Sequence, residues 1–295
     1  MYPMVYIVIL NYKGAEDTIA CMQSIVNINY SFFKVLVIDN ASGDGSDVII
    51  RNYLDRIKDK RFSFIKTEKN MGYAGGNNVG IRIALKDQSM SYVWILNNDT
   101  IVDKNALIEM VDKMEMEQKM GMCGSKQVYE WDRSKLQGYG GKYNKYLGLS
   151  GTVIDVNKID KLDFVNGASM LIRRNLLEQI GLFCEDYFLY FEELDLRERS
   201  KRQFTIGCAA RSVVYHKEGA SIGSNADGQM RSRLSDYYLI RNRILFTRKF
   251  HPLCLISVYL GLFYAIFNRI KRKQFDRGSM ILKLMHGVRC DEFEQ

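Results

Sequence analysis

Proline is scarce in this chain, with two residues in 295, and histidine nearly so, with three. So few prolines beside 47% hydrophobic residues exclude a proline-rich or low-complexity protein and predict a chain folded throughout. Six cysteines occur, none at C-x-x-C spacing, which argues against a zinc site. They read as separate buried thiols in a reducing compartment. No nucleic-acid recognition motif is present, so nucleic acid is not an expected partner. The glycine-rich stretch Asn70–Asn78 matches neither G-x-G-x-x-G nor the Walker phosphate loop. Leu253 to Phe267 is a run of fifteen largely apolar residues, short of the ~20 that span a bilayer.

What is there is a core-rich, basic protein. The length suits one large domain or two modest ones. Lys and Arg number 42 against 34 acids, a formal charge of +8, and the basic residues crowd between Arg231 and Arg277. A basic, partly apolar tail points to an anionic membrane surface or a phosphate-bearing ligand. Met1-Tyr-Pro leads straight into Val5–Leu10, which reads as a first buried strand and not as an export segment. The expected location is cytoplasmic, peripheral on the inner face of the cell membrane.

Along the first hundred residues, apolar runs at 5–10, 35–38, 62–65 and 92–96 alternate with helical spacing at 16–27, 47–58 and 79–86. That is β-α-β-α-β-α-β, an α/β fold with a mostly parallel sheet. Asn70–Asn78 reads as a tight turn. Beyond Asp103 the spacing predicts a helix over 105–119, short β-like runs over 121–161, a turn feeding a strand over 164–172, and helices over 175–180 and 191–202. Strand-like runs follow at 204–209 and 213–215, then a Gly/Ser/Asn-rich lid candidate at 217–232 and a helical region from 231. The expected organisation is one domain over 1–230, in halves 1–103 and 104–230, followed by a basic helical region 231–295. The flanked apolar segment 241–273 is expected to make a peripheral membrane contact or a homodimer contact; the structural alternative is a buried core helix.

Chemistry-bearing residues sit at the ends of these runs. Asp39 follows a buried strand, where a carboxylate can accept from a ribose or a base; a turn-forming Asp is the structural alternative. Gly75 and Gly76 would let the backbone approach a ligand ahead of a helix N-terminus that favours anions. Asp99 closes an apolar strand and can hold Mg2+ or Mn2+, which needs one or two protein carboxylates. His216 can add a nitrogen donor, although a lone histidine is more often a hydrogen-bonded core residue. Glu192, Glu193 and Asp195 crowd four positions. Helical spacing puts Glu192 and Asp195 on one face and Glu193 on another, and one of the three can act as a general base with a pKa raised by its neighbours.

The ordered set Ile9-Leu-Asn-Tyr12, Val37-Ile-Asp-Asn-Ala-Ser42, Asn70–Asn78, Leu96-Asn-Asn-Asp-Thr100, Asn166-Gly-Ala-Ser169, Gly181-Leu-Phe183, Phe188–Leu196 and Val214-Tyr-His216 resembles the family-2 glycosyltransferases of the GT-A fold. The likeness is nearest their bacterial rhamnosyltransferase-like branch. The resemblance covers roughly residues 5–250. It implies a GT-A, Rossmann-like sheet flanked by helices with a helical C-terminal extension. It implies nucleotide binding by Asn11, Asp39, Asn70, Gly75, Gly76 and Asn98, a metal held by Asp99 and His216, and a base drawn from Glu193, Asp195 and Glu192. Two departures stand out: Asn97 replaces the first acid of the family's DXD-like motif, and Glu193 stands where the family usually has Asp. The implied reaction is inverting, metal-dependent transfer from a nucleotide-sugar donor, dTDP-rhamnose or a UDP-sugar, to a saccharide or lipid-linked oligosaccharide in surface polysaccharide synthesis. A nucleotidyltransferase and a non-catalytic nucleotide-sugar-binding subunit are the competing readings.

Overall fold

The computed structural model describes residues 2–217, 232–288, 290 and 293. Its first half alternates as the apolar runs require: β1 (Met4–Asn11), α1 (Ala15–Val26), β2 (Phe33–Asp39), α2 (Ser46–Ile57), β3 (Phe62–Lys66), α3 (Gly72–Ala84) and β4 (Met90–Asn97). The four strands run parallel in the order β3-β2-β1-β4. Val5, Ile7, Val8 and Ile9 of β1 are fully buried, because helices cover both faces of a parallel sheet and leave no side for water. In α1 the buried residues Thr18, Cys21, Met22 and Ile25 fall at i, i+3, i+4 and i+7 and turn one stripe to the sheet.

The second half is mixed. It comprises β5 (Thr100–Val102), α4 (Ala106–Met116), β6 (Met120–Tyr129), β7 (Leu136–Gly138), β8 (Gly141–Asn144), β9 (Leu149–Thr152), β10 (Ser169–Arg173), α5 (Arg174–Ile180), α6 (Glu192–Ser200) and β11 (Thr205–His216). β10 lies antiparallel between β4 and β6, β11 runs parallel to β6, and β5 closes the edge antiparallel to β11. β7 pairs with β6, while β8 and β9 form a separate hairpin. The fully buried Trp94 indole donates to Ser169 Oγ at 2.9 Å, pinning β4 against β10.

Three local expectations change. The stretch Asn70–Asn78 is not a tight turn: α3 begins at Gly72 and runs through Gly75 and Gly76. The runs at 204–209 and 213–215 are one strand with a register shift between Ala209 and Val213. The three residues of β5 are too few to show a period of two, yet they form an edge strand. The lid candidate 217–232 lies, apart from its two end residues, outside the described residues, as does the expected boundary at 230/231.

Beyond that boundary are α7 (Arg233–Phe250), α8 (Leu255–Lys271) and α9 (Phe275–Met285). Tyr237, Ile240, Val258, Leu262, Met280 and Ile281 share their core. The bundle is also joined to the first domain, since Phe246 of α7 packs with Tyr187, Phe191 and Leu194. The continuous helical stretch Pro252–Lys271 has 20 residues and a mean hydropathy of 1.7, long and apolar enough to cross a membrane. It therefore exceeds the fifteen-residue apolar run. Nearly buried Asp236 of α7 accepts from Arg269 of α8 at 2.9 Å and from Arg277 beyond the next turn at 2.6 Å. Removing one partner of such a buried set leaves uncompensated charge, costing about 3 kcal/mol. Asp236→Ala is therefore expected to lower the urea midpoint of the full chain sharply, and Asp236→Asn, which keeps an acceptor, to lower it less.

Candidate active site

Parallel pairing brings the C-terminal ends of β1, β2 and β4 together, with Asn11 opposite Asp39 and Leu10 opposite Asn97. Such ends form the ligand crevice of an open α/β sheet. A hydrogen-bond network fills them. Fully buried Asp39 accepts from Asn11 Nδ2 at 2.7 Å and from Ser42 Oγ at 2.6 Å. Asn11 Oδ1 accepts from the Gly14 amide and from Thr18 Oγ1, and Asn98 Nδ2 donates to Thr18 Oγ1. Beside it, Asn70 Oδ1 accepts from Asn40 Nδ2 and from the Gly72 amide. Asn11, Asp39 and Asn98 thus share one network, and Asn70 adjoins it through Asn40, the neighbour of Asp39.

Asp99 sits in the bend between β4 and β5. Thr100 of β5 pairs with His216 of β11, so the short edge strand places His216 Nε2 3.3 Å from Asp99 Oδ1. Both side chains are nearly buried. Gln137 Oε1 lies 3.0 Å from His216 Nδ1. An amide oxygen there fixes the proton on Nδ1 and leaves Nε2 as a donor for a cation. A carboxylate oxygen and an imidazole nitrogen this close fall within reach of one ion, and imidazole suits Mn2+. Among the described residues no group of three or more His, Cys, Asp or Glu gathers as a metal cluster. The pair would therefore leave most of a coordination shell to substrate oxygens and water.

Glu192 and Glu193 open α6 after a turn in which Phe188, Tyr190 and Phe191 all have positive φ, 58°, 69° and 75°. That backbone is unfavourable for residues with side chains, so neighbours must hold it. The Tyr73 amide, at the start of α3, donates to the Phe188 carbonyl at 2.6 Å. Gly72, at φ 67°, is required there, since a Cβ would overlap that same carbonyl. From the other side, fully buried Asn242 of α7 donates through Nδ2 to the carbonyls of Tyr187 and Leu189 at 2.7 Å and of Tyr190 at 3.0 Å. The turn aims the first two helical residues at each other. Burial raises the Glu192 carboxyl well above its usual range, repulsion from Glu193 adds to this, and burial raises Glu193 as well. A hydrogen bond joins the two carboxyls, and their common burial favours a proton held by the pair. Oε2 of each is buried without a hydrogen-bond partner.

Tyr73 ties the two acidic centres together. Its hydroxyl donates to the Gly167 carbonyl at 2.6 Å. Burial pushes its pKa up, and the negative charges of Glu192, Glu193 and Asp99 push it further. One phenol thus feels the charge of both acidic centres. Near Glu192, Tyr143 packs edge-on against Phe191 and lines a hollow of about 610 Å³ with Lys142, Asn144, Tyr146 and Asp163 beside the β8–β9 hairpin.

Two expectations are corrected. Gly75 and Gly76 do not offer backbone to an anion. They lie buried inside α3, where a Cβ would collide with Met71 and Leu10 respectively, and the helix N-terminus is already capped by the Phe188 carbonyl. Asp195 is not free to act as a second base. Its fully buried carboxylate is held at 2.5 Å by both Arg199 and Lys249. Tyr73, Gln137 and Asn242 were missed. Asn242 alone carried a signal: an amide on the apolar face of a helical pattern.

The sequence profile described as Glycosyl transferase family 2 matches residues 6–181, ending before Glu192. The chain is 24% identical over 224 residues to the low-salt glycan biosynthesis hexosyltransferase Agl10 of Haloferax volcanii, covering 72% of this chain and 66% of that one. It is 24% identical over 178 residues to the poly-beta-1,6-N-acetyl-D-glucosamine synthase of Staphylococcus epidermidis, covering 59% and 40%. The chain thus spans about two thirds of one relative's length and two fifths of the other's. Its fold matches that of the mannosyltransferase PcManGT from Pyrobaculum calidifontis, solved with GDP-Man and Mn2+, at a TM-score of 0.61 and 14% identity, covering 96% of this chain and 86% of that one.

The clamp on the 187–191 turn can be checked directly. Asn242→Leu keeps the volume and leaves three carbonyls without their donor, a loss of about 3 kcal/mol at ordinary desolvation costs. Urea unfolding should show it, and Asn242→Asp, which lacks the amide donor, should be no better.

Proposed function

The chain belongs to glycosyl transferase family 2, and from that premise we propose that it transfers a hexose, with inversion, from a nucleoside diphosphate sugar to a saccharide or lipid-linked oligosaccharide acceptor. dTDP-rhamnose or a UDP-sugar is the favoured donor, and the product would enter a surface polysaccharide. The observation that carries this reading is the Asp99–His216 pair, set beside the Asn11–Asp39–Asn98 network at strand ends where a ligand crevice is expected. Hexosyltransferase and polysaccharide synthase relatives are consistent with it.

In this reading the acceptor hydroxyl lies against Glu193. Its oxygen attacks the anomeric carbon, its proton passes to the Glu193 carboxylate, and the bond to the donor diphosphate breaks with its electron pair going to the diphosphate. Burial of the Glu192–Glu193 pair raises the affinity of its carboxyls for that proton. The groups fit a divalent ion: Asp99 and His216 would hold Mn2+ or Mg2+, which when bound offsets charge on the diphosphate. Asn11, Asp39, Asn70 and Asn98 are the nucleotide-side groups, and a nucleotide reaching Asp39 would have to displace the Ser42 hydroxyl.

Asp99→Asn should abolish metal-dependent release of nucleoside diphosphate and weaken Mn2+ binding in calorimetry, with the melting temperature nearly unchanged. Wild-type turnover in that variant would sink the metal assignment. A thermal-shift panel of UDP-, dTDP- and GDP-sugars with Mn2+ reads the donor.

Glu193→Gln should bind donor normally and transfer ~10²–10⁴-fold more slowly, the usual cost of removing a base. The pair also leaves a mark on stability. A carboxyl raised by folding stays protonated where the unfolded chain is ionised. Its contribution is therefore fully present below the ordinary glutamate pKa and is lost as pH rises through the raised value. Glu192→Gln should accordingly melt higher than wild type at mildly alkaline pH and show no such gain near the ordinary glutamate value. Parallel melting curves at both pH values would contradict the shared-proton arrangement.

A further inference from the structure

Helix α8 is apolar on two opposite faces. Val258, Leu262 and Ile266 are buried against α7 and α9. On the far side Leu253, Ile256, Leu260, Phe263, Phe267 and Ile270 advance by three and four residues in turn, the spacing of a single helical stripe. All six are exposed, from 49% to 94%. Beyond one end, exposed Tyr146 and Leu147 at the β8–β9 tip continue the strip; Ser257 Oγ donates to the Tyr146 carbonyl at 2.6 Å. An apolar strip of this extent on a water-soluble surface marks an interaction site.

Charge selects the partner. α8 contains no acid, and exposed Lys271, Arg272 and Lys273 follow directly at its C-terminal end, with Lys145 at the hairpin end. The nearby acids Asp276 and, beside the hairpin, Asp163 face Arg233 and Lys142. A second copy laid on this strip would set like charges together in either direction, since both ends are basic. An anionic surface meets both ends favourably. Geometry selects the pose. Arg269 binds Asp236 of α7, and the inner face of α8 belongs to the three-helix core, so crossing a bilayer would require dismantling that core.

We propose that α8 and the tip of the β8–β9 hairpin seat this protein in the plane of an anionic lipid bilayer, with the outer stripe in the interface and the basic ends on headgroups. The inference stands apart from the transferase reading. The hollow beside the same hairpin, near Glu192, then opens close to the lipid surface.

The test is co-sedimentation of the full chain with vesicles of phosphatidylcholine and phosphatidylglycerol, and of phosphatidylcholine alone. Binding is expected to the mixed vesicles at low salt and to fall at high salt. Phe263→Glu with Phe267→Glu should abolish it. Lys271→Glu with Arg272→Glu and Lys273→Glu should weaken it by at least a hundredfold, from about fivefold for each basic residue lost at an anionic surface. All replaced residues are exposed, so melting temperatures should hold. Donor hydrolysis, measured on the same samples, reports the active site separately. The proposal is overturned if wild type ignores the mixed vesicles, or if the stripe variant binds as well as wild type. It is overturned equally if the chain is a dimer that the stripe variant splits without any vesicle binding, or if carbonate extraction leaves α8 embedded.

Discussion

One amide side chain holds together the turn that carries the acidic pair. Asn242 donates to the carbonyls of Tyr187, Leu189 and Tyr190, in a turn that contains three residues at positive φ. Without an outside donor that backbone would relax, because its own conformation is unfavourable for residues with side chains. The Tyr73 amide holds the same turn from the sheet side. Between these two holds the chain presents Glu192 and Glu193 side by side at the start of α6, Glu192 nearly buried and Glu193 partly so, and burial raises both carboxyls. The setting of the pair is thus a consequence of backbone strain maintained from two elements far apart in sequence.

Asp195 shows how the same region separates roles among acids. Three carboxylates stand within four positions, yet Arg199 and Lys249 neutralise one completely and leave the other two with none of those cations. The cations draw Asp195 into the interface between α6 and α7. Its charge therefore secures the helix that carries the pair, and the pair's own charge is left uncompensated.

Much of the first half of the fold was legible in sequence. β1 to β4 are continuous apolar runs, and each ends in polar residues that could only sit at strand ends, so Asn11, Asp39 and Asp99 could be placed before any coordinates. The partnership of Asp99 with His216 could not be read from periodicity, because it depends on β5, three residues long, pairing with the far end of β11. Gly75 and Gly76 were misread because a glycine needed for a helix to lie close on a strand looks, in one dimension, like a glycine needed for a ligand. The pairing of Glu192 with Glu193 was hidden because helical wheels assume a helix already under way, and these residues begin one.

The reach of Asn242 has a consequence for how the protein comes into being. The parallel strands β1 to β4 are complete once the first hundred residues have left the ribosome, and such a unit can collapse early, since chains fold from the N-terminus during synthesis. The residue that holds the 187–191 turn arrives only with α7, some fifty residues after the turn itself. Until then the nascent chain carries the strand-end network and Asp99 but not the hold on the turn that precedes Glu192 and Glu193. Assembly of the acidic pair therefore waits on α7.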